Sequence, residues 1–198
     1  RAAWLAYESR FPHLSQWFRA APEFKYQSAV VGGKKTGSDI NLYKLFVERS
    51  FHLLRAGGHC GIVIPSGIYT DLGAKGLRDL LFGHTQIEGL FCFENRKTIF
   101  EGVDSRFKFV VLTFEKAAAA RLQAAGERNA SAPPDDLLAA QAAEAQGKAT
   151  GTTRFPAAFM RHDVEELARF PDEGALWLEV ELIKRLSPDS HSVMEFKS

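Results

Sequence analysis

Two apolar runs lie close together in the middle of this chain, Ile87 to Phe93 and Phe107-Lys108-Phe109-Val110-Val111-Leu112-Thr113-Phe114. The link between them, opening with polar Glu94 to Lys97, is too short for a crossover helix, which parallel neighbours require, so the two strands are expected to run antiparallel. Upstream, Leu42, Phe46, Leu53 and Leu45, Val47, Leu54 recur at helical spacings over Ser38 to Leu54, with Ser38 or Asp39 available as cap and Gly57-Gly58 as stop. Cys60-Gly61-Ile62-Val63-Ile64 is nearly all apolar and ends at Pro65, as expected of a central strand buried on both faces. A second helix is expected from Thr70 to about Phe82, capped by Thr70 or Asp71, with Leu72, Leu77, Leu80 and Leu81 towards the sheet. The order helix, strand, helix, strand, strand predicts an α/β fold whose parallel sheet carries one reversed strand near its edge.

The flanks differ in character. Residues 1–40 mix aromatics with Pro12, Pro22 and the stretch Gly32-Gly33-Lys34-Lys35-Thr36-Gly37, which predicts one or two short helices and then a mobile loop. Residues 117–150 are Ala-rich, lack aromatics and contain Pro133-Pro134, the composition of a flexible insertion with too little bulky apolar surface to order itself. Structure is expected to resume at Phe155, Phe159 and Met160, with helical stretches from Asp163 to Phe170 and Leu176 to Leu186. This divides the chain into 1–116, 117–150 and a tail, 151–198. The first residue is Arg1 rather than Met, which raises the expectation of a fragment from something longer.

A net charge of +1 over 198 residues excludes a chain-wide basic field for gripping nucleic acid, so any such contact must be local. No apolar stretch reaches membrane-spanning length and no signal peptide opens the chain, so no membrane partner and a cytoplasmic location are expected. Cys60 and Cys92 both lie in apolar runs and read as buried free thiols. The six histidines fall in no zinc-ligand spacing, and no metal is implied. Gly32-Gly33-Lys34-Lys35-Thr36 lacks the spacing of a phosphate loop, and Gly57-Gly58 follows a helix instead of preceding one. Glu165-Glu166 suits a solvated helix as well as acid-base chemistry.

Residues 93–109 stand apart, because cations, amides and aromatics are concentrated there between two strands. Cations suit phosphate, and a ring can stack on an unpaired base. On residues alone the segment reads equally well as a hairpin in which Phe100 staples the core.

Taken together, Asn41-Leu42-Tyr43-Lys44-Leu45-Phe46-Val47-Glu48-Arg49, Leu53-Leu54-Arg55-Ala56-Gly57-Gly58, Gly61-Ile62-Val63-Ile64-Pro65-Ser66, Leu77-Arg78-Asp79-Leu80-Leu81, Phe93-Glu94-Asn95-Arg96-Lys97-Thr98-Ile99-Phe100 and Arg106-Phe107-Lys108-Phe109 resemble the TaqI-like catalytic domain of adenine-N6 DNA methyltransferases, as found in type IIG restriction-modification enzymes. The resemblance spans about residues 38–116. It implies the back half of a Rossmann-like class I methyltransferase sheet with an antiparallel last strand. It also implies methyl transfer from S-adenosylmethionine to the exocyclic amine of an adenine flipped out of double-stranded DNA, a step that demands a pocket with a stacking face. Phe100 occupies the family's base-stacking place. Asn95, Arg96, Lys97, Arg106 and Lys108 become candidate DNA contacts. Tyr43 and Phe46 become candidates to line the cofactor site, or else pack the helix on the sheet. In the packed case Phe46→Ala would cost about 3 to 5 kcal/mol.

Two family motifs do not occur in this sequence: the Gly-containing cofactor turn and the Asn/Asp-Pro-Pro-Tyr/Phe loop that holds the target amine. Ser131-Ala132-Pro133-Pro134-Asp135 lies downstream of the resembling region and is a decoy. The resemblance therefore implies that both motifs belong to an upstream half that partners this one, that no catalytic residue lies in this chain, and that a target-recognition domain would begin after about Phe196. Two other readings stay open: a non-catalytic DNA-binding or assembly module with the same fold, and a nicotinamide enzyme, which the lack of a Gly-x-Gly-x-x-Gly turn disfavours.

Overall fold

The computed structural model describes residues 1–31, 33–35, 40–117 and 151–196. Two short helices, α1 (Ala2–Glu8) and α2 (Arg10–Ala20), lead into a tight turn at Pro22–Phe24 and the small hairpin β1 (Val30–Val31) and β2 (Lys34–Lys35). Then come α3 (Leu42–Leu53), β3 (His59–Pro65), the single turn α4 (Gly67–Thr70), α5 (Lys75–His84), β4 (Thr85–Glu94) and β5 (Lys108–Lys116). After the Ala-rich stretch follow β6 (Arg154–Arg161), β7 (Leu176–Glu179) and α6 (Val180–Leu186). Part of the Gly/Lys-rich segment is thus a hairpin, its turn eased by Gly33 at φ +75°. The rest of that segment, the caps expected at Ser38 and Asp39, and the insertion beyond Ala117 with its Pro133-Pro134 decoy lie outside the described residues.

Five strands form one mixed sheet in the order β3-β5-β4-β6-β7. β5 runs antiparallel to both neighbours, pairing Val63 with Val111 on one side and Phe93 with Phe109 on the other. β4 and β6 are parallel, while β6 and β7 are antiparallel. The reversed strand expected from the short link is therefore present, second from the edge, and β3, β4 and β6 share one direction. This is a mixed α/β fold consistent with part of a Rossmann-like methyltransferase sheet.

Sequence and structure part in three places. β3 is the rim of the described sheet rather than a central strand. It pairs only with β5, and His59, Gly61 and Val63 are exposed in alternation, as befits a strand covered on one face. Residues 151–196 are not simply a helical tail: Phe155, Ala157, Ala158 and Phe159 are all buried in β6, because small alanines let that strand be covered on both faces. Leu176–Glu179, expected to be helical, instead pairs with β6, the demand for a hydrogen-bonded neighbour outweighing helix propensity.

The third departure is in the helices. α3 is capped by Asn41, whose Oδ1 accepts from Tyr43 N at 3.3 Å. Its buried face carries Leu45, Val47 and Phe51, while Leu42, Phe46 and Leu53 point outward. At its far end the Lys116 ammonium donates to the carbonyls of Phe51 and Leu54, each at 2.9 Å, satisfying groups the helix leaves open. The second helix starts later than the expected Thr70: the single turn α4 ends there, a tight turn at Leu72–Ala74 follows, and only then does α5 run from Lys75 to His84. The cause is Arg78, only 2% exposed, whose guanidinium donates to the carbonyls of Ile68 at 2.7 Å and Asp71 at 2.6 Å and folds the intervening chain around itself.

Leu77, Leu80, Leu81, Leu90, Leu112, Phe114 and Phe155 form the main core with Ile183 and Val193 of the tail. Cys92 is buried and Cys60 half-buried, both free thiols. Among the described residues no helix is long and apolar enough to cross a membrane.

Candidate functional site

Because β3, β4 and β6 run the same way, their carboxyl ends share one rim of the sheet, the side on which open α/β sheets bind ligands. From that rim the segment between β4 and β5 projects. It begins with a tight turn at Asn95–Lys97, is closed at its base by Asn95 N donating to Phe107 O at 2.9 Å, and bends through Thr98 (φ +51°) and Gly102 (φ +76°).

Asn95 is fully buried within this loop. Its Nδ2 donates to the carbonyls of Phe100 at 3.0 Å and Val103 at 2.9 Å, and its Oδ1 accepts from Phe100 N at 2.9 Å. The carboxamide is consumed inside the loop, which removes Asn95 from the expected groove contacts and makes it the loop's internal clamp. Phe100 is 44% exposed. Its ring meets Phe109 edge-on at 4.7 Å, and Phe109 in turn stacks on Phe93 at 5.2 Å. The ring is therefore held by a buried aromatic pair while much of its surface stays open to a partner.

Each cation expected at DNA has an acidic neighbour. Arg96 Nε donates to Glu94 at 2.7 Å, Lys97 to Asp163, Arg106 to Asp104 at 2.8 Å, and Lys108 to Glu195 at 2.5 Å. The Arg96 and His162 hydrogen bonds hold the Glu94 carboxyl well below its ordinary range, at about 2. The Lys97–Asp163 and Arg106–Asp104 pairs are exposed on both sides, contribute little to stability and exchange readily for another anion.

Tyr43 and Phe46 sit apart from the loop, on α3. Burial, with Asp71 beside it, pushes the half-buried Tyr43 phenol up to about 12. Its hydroxyl reaches the turn after β3, where a side chain at Gly67 would approach it to 3.0 Å. Phe46 is 62% exposed, so it does not pack α3 onto the sheet. The 3 to 5 kcal/mol expectation for a buried ring does not hold for this position.

Two groupings escaped the sequence, because elements separated along the chain create them. Tyr69, Cys92, Lys108 and Glu195 meet at the carboxyl rim. His59, Glu88 and Glu115 bring ligand atoms within 4.8 Å of one another across three neighbouring strands on the exposed surface. Linear spacing carries no trace of either.

Residues 18–100 match the profile of the family described as Eco57I restriction-modification methylase. The matched span ends on Phe100 and contains α3 to β4 with the start of the loop, and it supports a methyltransferase-related role. No curated protein matches the sequence. Among solved structures, a chain from work on complex assembly and conformational transition of the type I R-M system is 16% identical, with a TM-score of 0.45 over 82% of this chain and 34% of that one. This chain thus spans about a third of that protein's length.

Proposed function

We propose that this chain forms the back half of the catalytic domain of a site-specific DNA methyltransferase, acting on adenine N6 in a restriction-modification or phage-defence system in the cytoplasm. The observation that carries the reading is Phe100: a partly open aromatic ring on an internally clamped loop at the carboxyl rim, ringed by exchangeable cations. A base turned out of a duplex needs a stacking face, and the cations Arg96, Lys97, Arg106 and Lys108 suit the phosphates on either side.

The cofactor would be S-adenosylmethionine, which supplies the methyl group. The residues present fit one wall of its site. Phe46 offers an uncovered ring, and Tyr43 places a neutral phenol beside the turn that follows β3. The amide donors and acidic partner such a ligand also needs would come from an upstream half. Support for that partner lies in the rim strand β3, whose outer edge is unpaired among the described residues, in the exposed Val63 on that strand, and in Leu42 and Leu53, exposed on α3. An added strand and its neighbouring apolar residues would cover this face.

Catalysis in this scheme comes from positioning and from carbonyls that stabilise charge on the amine nitrogen, and no residue of this chain acts as a general base. The test is calorimetric titration of S-adenosylmethionine and a short adenine-containing duplex into this chain alone and then mixed with its upstream half. Binding only by the mixture is expected. Tight cofactor binding by the chain alone would relocate the pocket, and no binding in either case would favour a non-catalytic module.

A further inference from the structure

The segment after α6 has no regular secondary structure, yet it is fastened across the carboxyl rim. The Arg78 guanidinium donates to Ser190 O at 2.7 Å, His191 Nδ1 lies 2.6 Å from Asp79 Oδ1, and Val193 N donates to Tyr69 O at 2.9 Å while its side chain enters the core. These anchors deliver Glu195 to a defined place. Its Oε1 accepts from the Tyr69 hydroxyl at 2.8 Å and its Oε2 from Lys108 Nζ at 2.5 Å. The Tyr69 side chain is almost wholly buried, and its hydroxyl also lies 3.0 Å from Cys92 Sγ, so its position is fixed by the core and not by the tail. The Lys108 and Glu195 side chains stay 24% and 21% exposed, within reach of solvent.

An ammonium and a hydroxyl converging on two oxygens of one anion form a donor set that suits the non-bridging oxygens of a phosphodiester as well as a carboxylate. Position favours the phosphodiester. Lys108 directly follows the loop that carries Phe100, and its neighbour Phe109 supports the Phe100 ring. We propose that Lys108 and Tyr69 form a backbone-phosphate position of the DNA face, which the Glu195 carboxylate fills in the DNA-free protein and which duplex takes over by displacing it. This rests on the DNA reading above. Glu195 would act as an internal competitor, setting the affinity for any duplex and leaving the choice of base untouched.

The experiment compares duplex binding by the full-length protein, its Glu195→Gln variant and the Glu195→Gln/Lys108→Met double variant across a salt series. Glu195→Gln should bind duplex at least about fivefold more tightly at low salt, with the slope of log K against log salt steeper by about 0.9, the signature of one further phosphate contact. The double variant should lose both gains. An unchanged affinity and slope in Glu195→Gln, or a gain that survives loss of Lys108, would overturn the proposal. Thermal unfolding with inorganic phosphate separates its failure from that of the DNA reading. A phosphate-dependent rise in midpoint confined to Glu195→Gln, with no duplex binding by any form, would overturn the DNA reading and leave only an oxyanion position. No such rise, with duplex bound equally by all forms, would overturn the position alone.

Discussion

Asn95 grips Phe100 by both ends of its backbone: the side-chain oxygen accepts from Phe100 N at 2.9 Å and the side-chain nitrogen donates to Phe100 O at 3.0 Å. Five residues apart in sequence, the two fix the shape of the loop that presents the ring. Asn95, expected from the sequence to contact DNA, is instead placed to aim the Phe100 ring.

Asn95→Ala should cost about 1 to 3 kcal/mol, the range for leaving buried hydrogen-bonding groups without partners. Amide exchange at Phe100 should accelerate well beyond that of β4 and β5. Asn95→Asp should be no better, because it sets an acceptor against the carbonyls of Phe100 and Val103. Denaturant unfolding with residue-resolved hydrogen exchange checks both, and an unchanged Phe100 amide would contradict the clamp.

Arg78 joins three parts of the chain through carbonyls, those of Ile68, Asp71 and Ser190. Arg78→Met should lower stability by about 2 kcal/mol or more, since hydrogen bonds from a charged donor are worth about 1.5 to 3 each. Limited proteolysis within residues 187–196 should be faster in the variant than in the parent. Equal protease resistance in the variant would show that the tail is held by its other anchors alone.

Phe46→Ala should change the stability of this chain by no more than about 0.5 kcal/mol, as for other surface positions. Phe51→Ala, one helical turn along on the buried face, should cost about 3 to 5 kcal/mol. Urea denaturation of the pair reads the orientation of α3 directly. If Phe46 lines a cofactor wall completed by an upstream half, its replacement should weaken S-adenosylmethionine binding in the combined protein while leaving unfolding unaltered.

Stability should fall on acidification through the range set by Glu94. Its carboxyl is held down to about 2 by Arg96 and His162, whereas an unfolded Glu titrates at about 4.3. A depressed carboxyl contributes stability that is fully present above the unfolded value and lost as pH falls towards the folded one. The window is therefore about pH 4.5 down to about 2. Glu94→Gln should flatten that part of the profile by lowering the neutral plateau towards the acid value, and unfolding curves at stepped pH would show an unchanged slope if the Arg96 and His162 contacts carry no weight.

Much of the fold was legible where local rules dominate. The antiparallel partnership of β4 and β5 followed from the length of their link, and Gly57, at φ +71°, ends the turn after α3 as its glycine pair suggested. Long-range effects were not legible. Nothing local distinguishes a strand buried on both faces from β3, which lacks a second neighbour among the described residues, or shows that the second helix would start only at Lys75. The segment rich in aromatic and cationic residues does form the loop between β4 and β5. The partners of Lys97 and Lys108, Asp163 and Glu195, lie far along the chain, and no spacing rule reaches that distance.

The central claim is that Phe100 stacks on a base turned out of duplex DNA. It is tested most directly by the fluorescence of 2-aminopurine placed at the target adenine, with full-length protein carrying Phe100, Phe100→Trp or Phe100→Ala. Fluorescence should rise on binding. Trp should retain the interaction, and Ala should weaken it by about 1 to 3 kcal/mol, the range for one stacked base, with circular dichroism and unfolding midpoint nearly unchanged. A Phe100→Ala protein that binds and flips as the parent does, or one that no longer folds, would contradict the assignment.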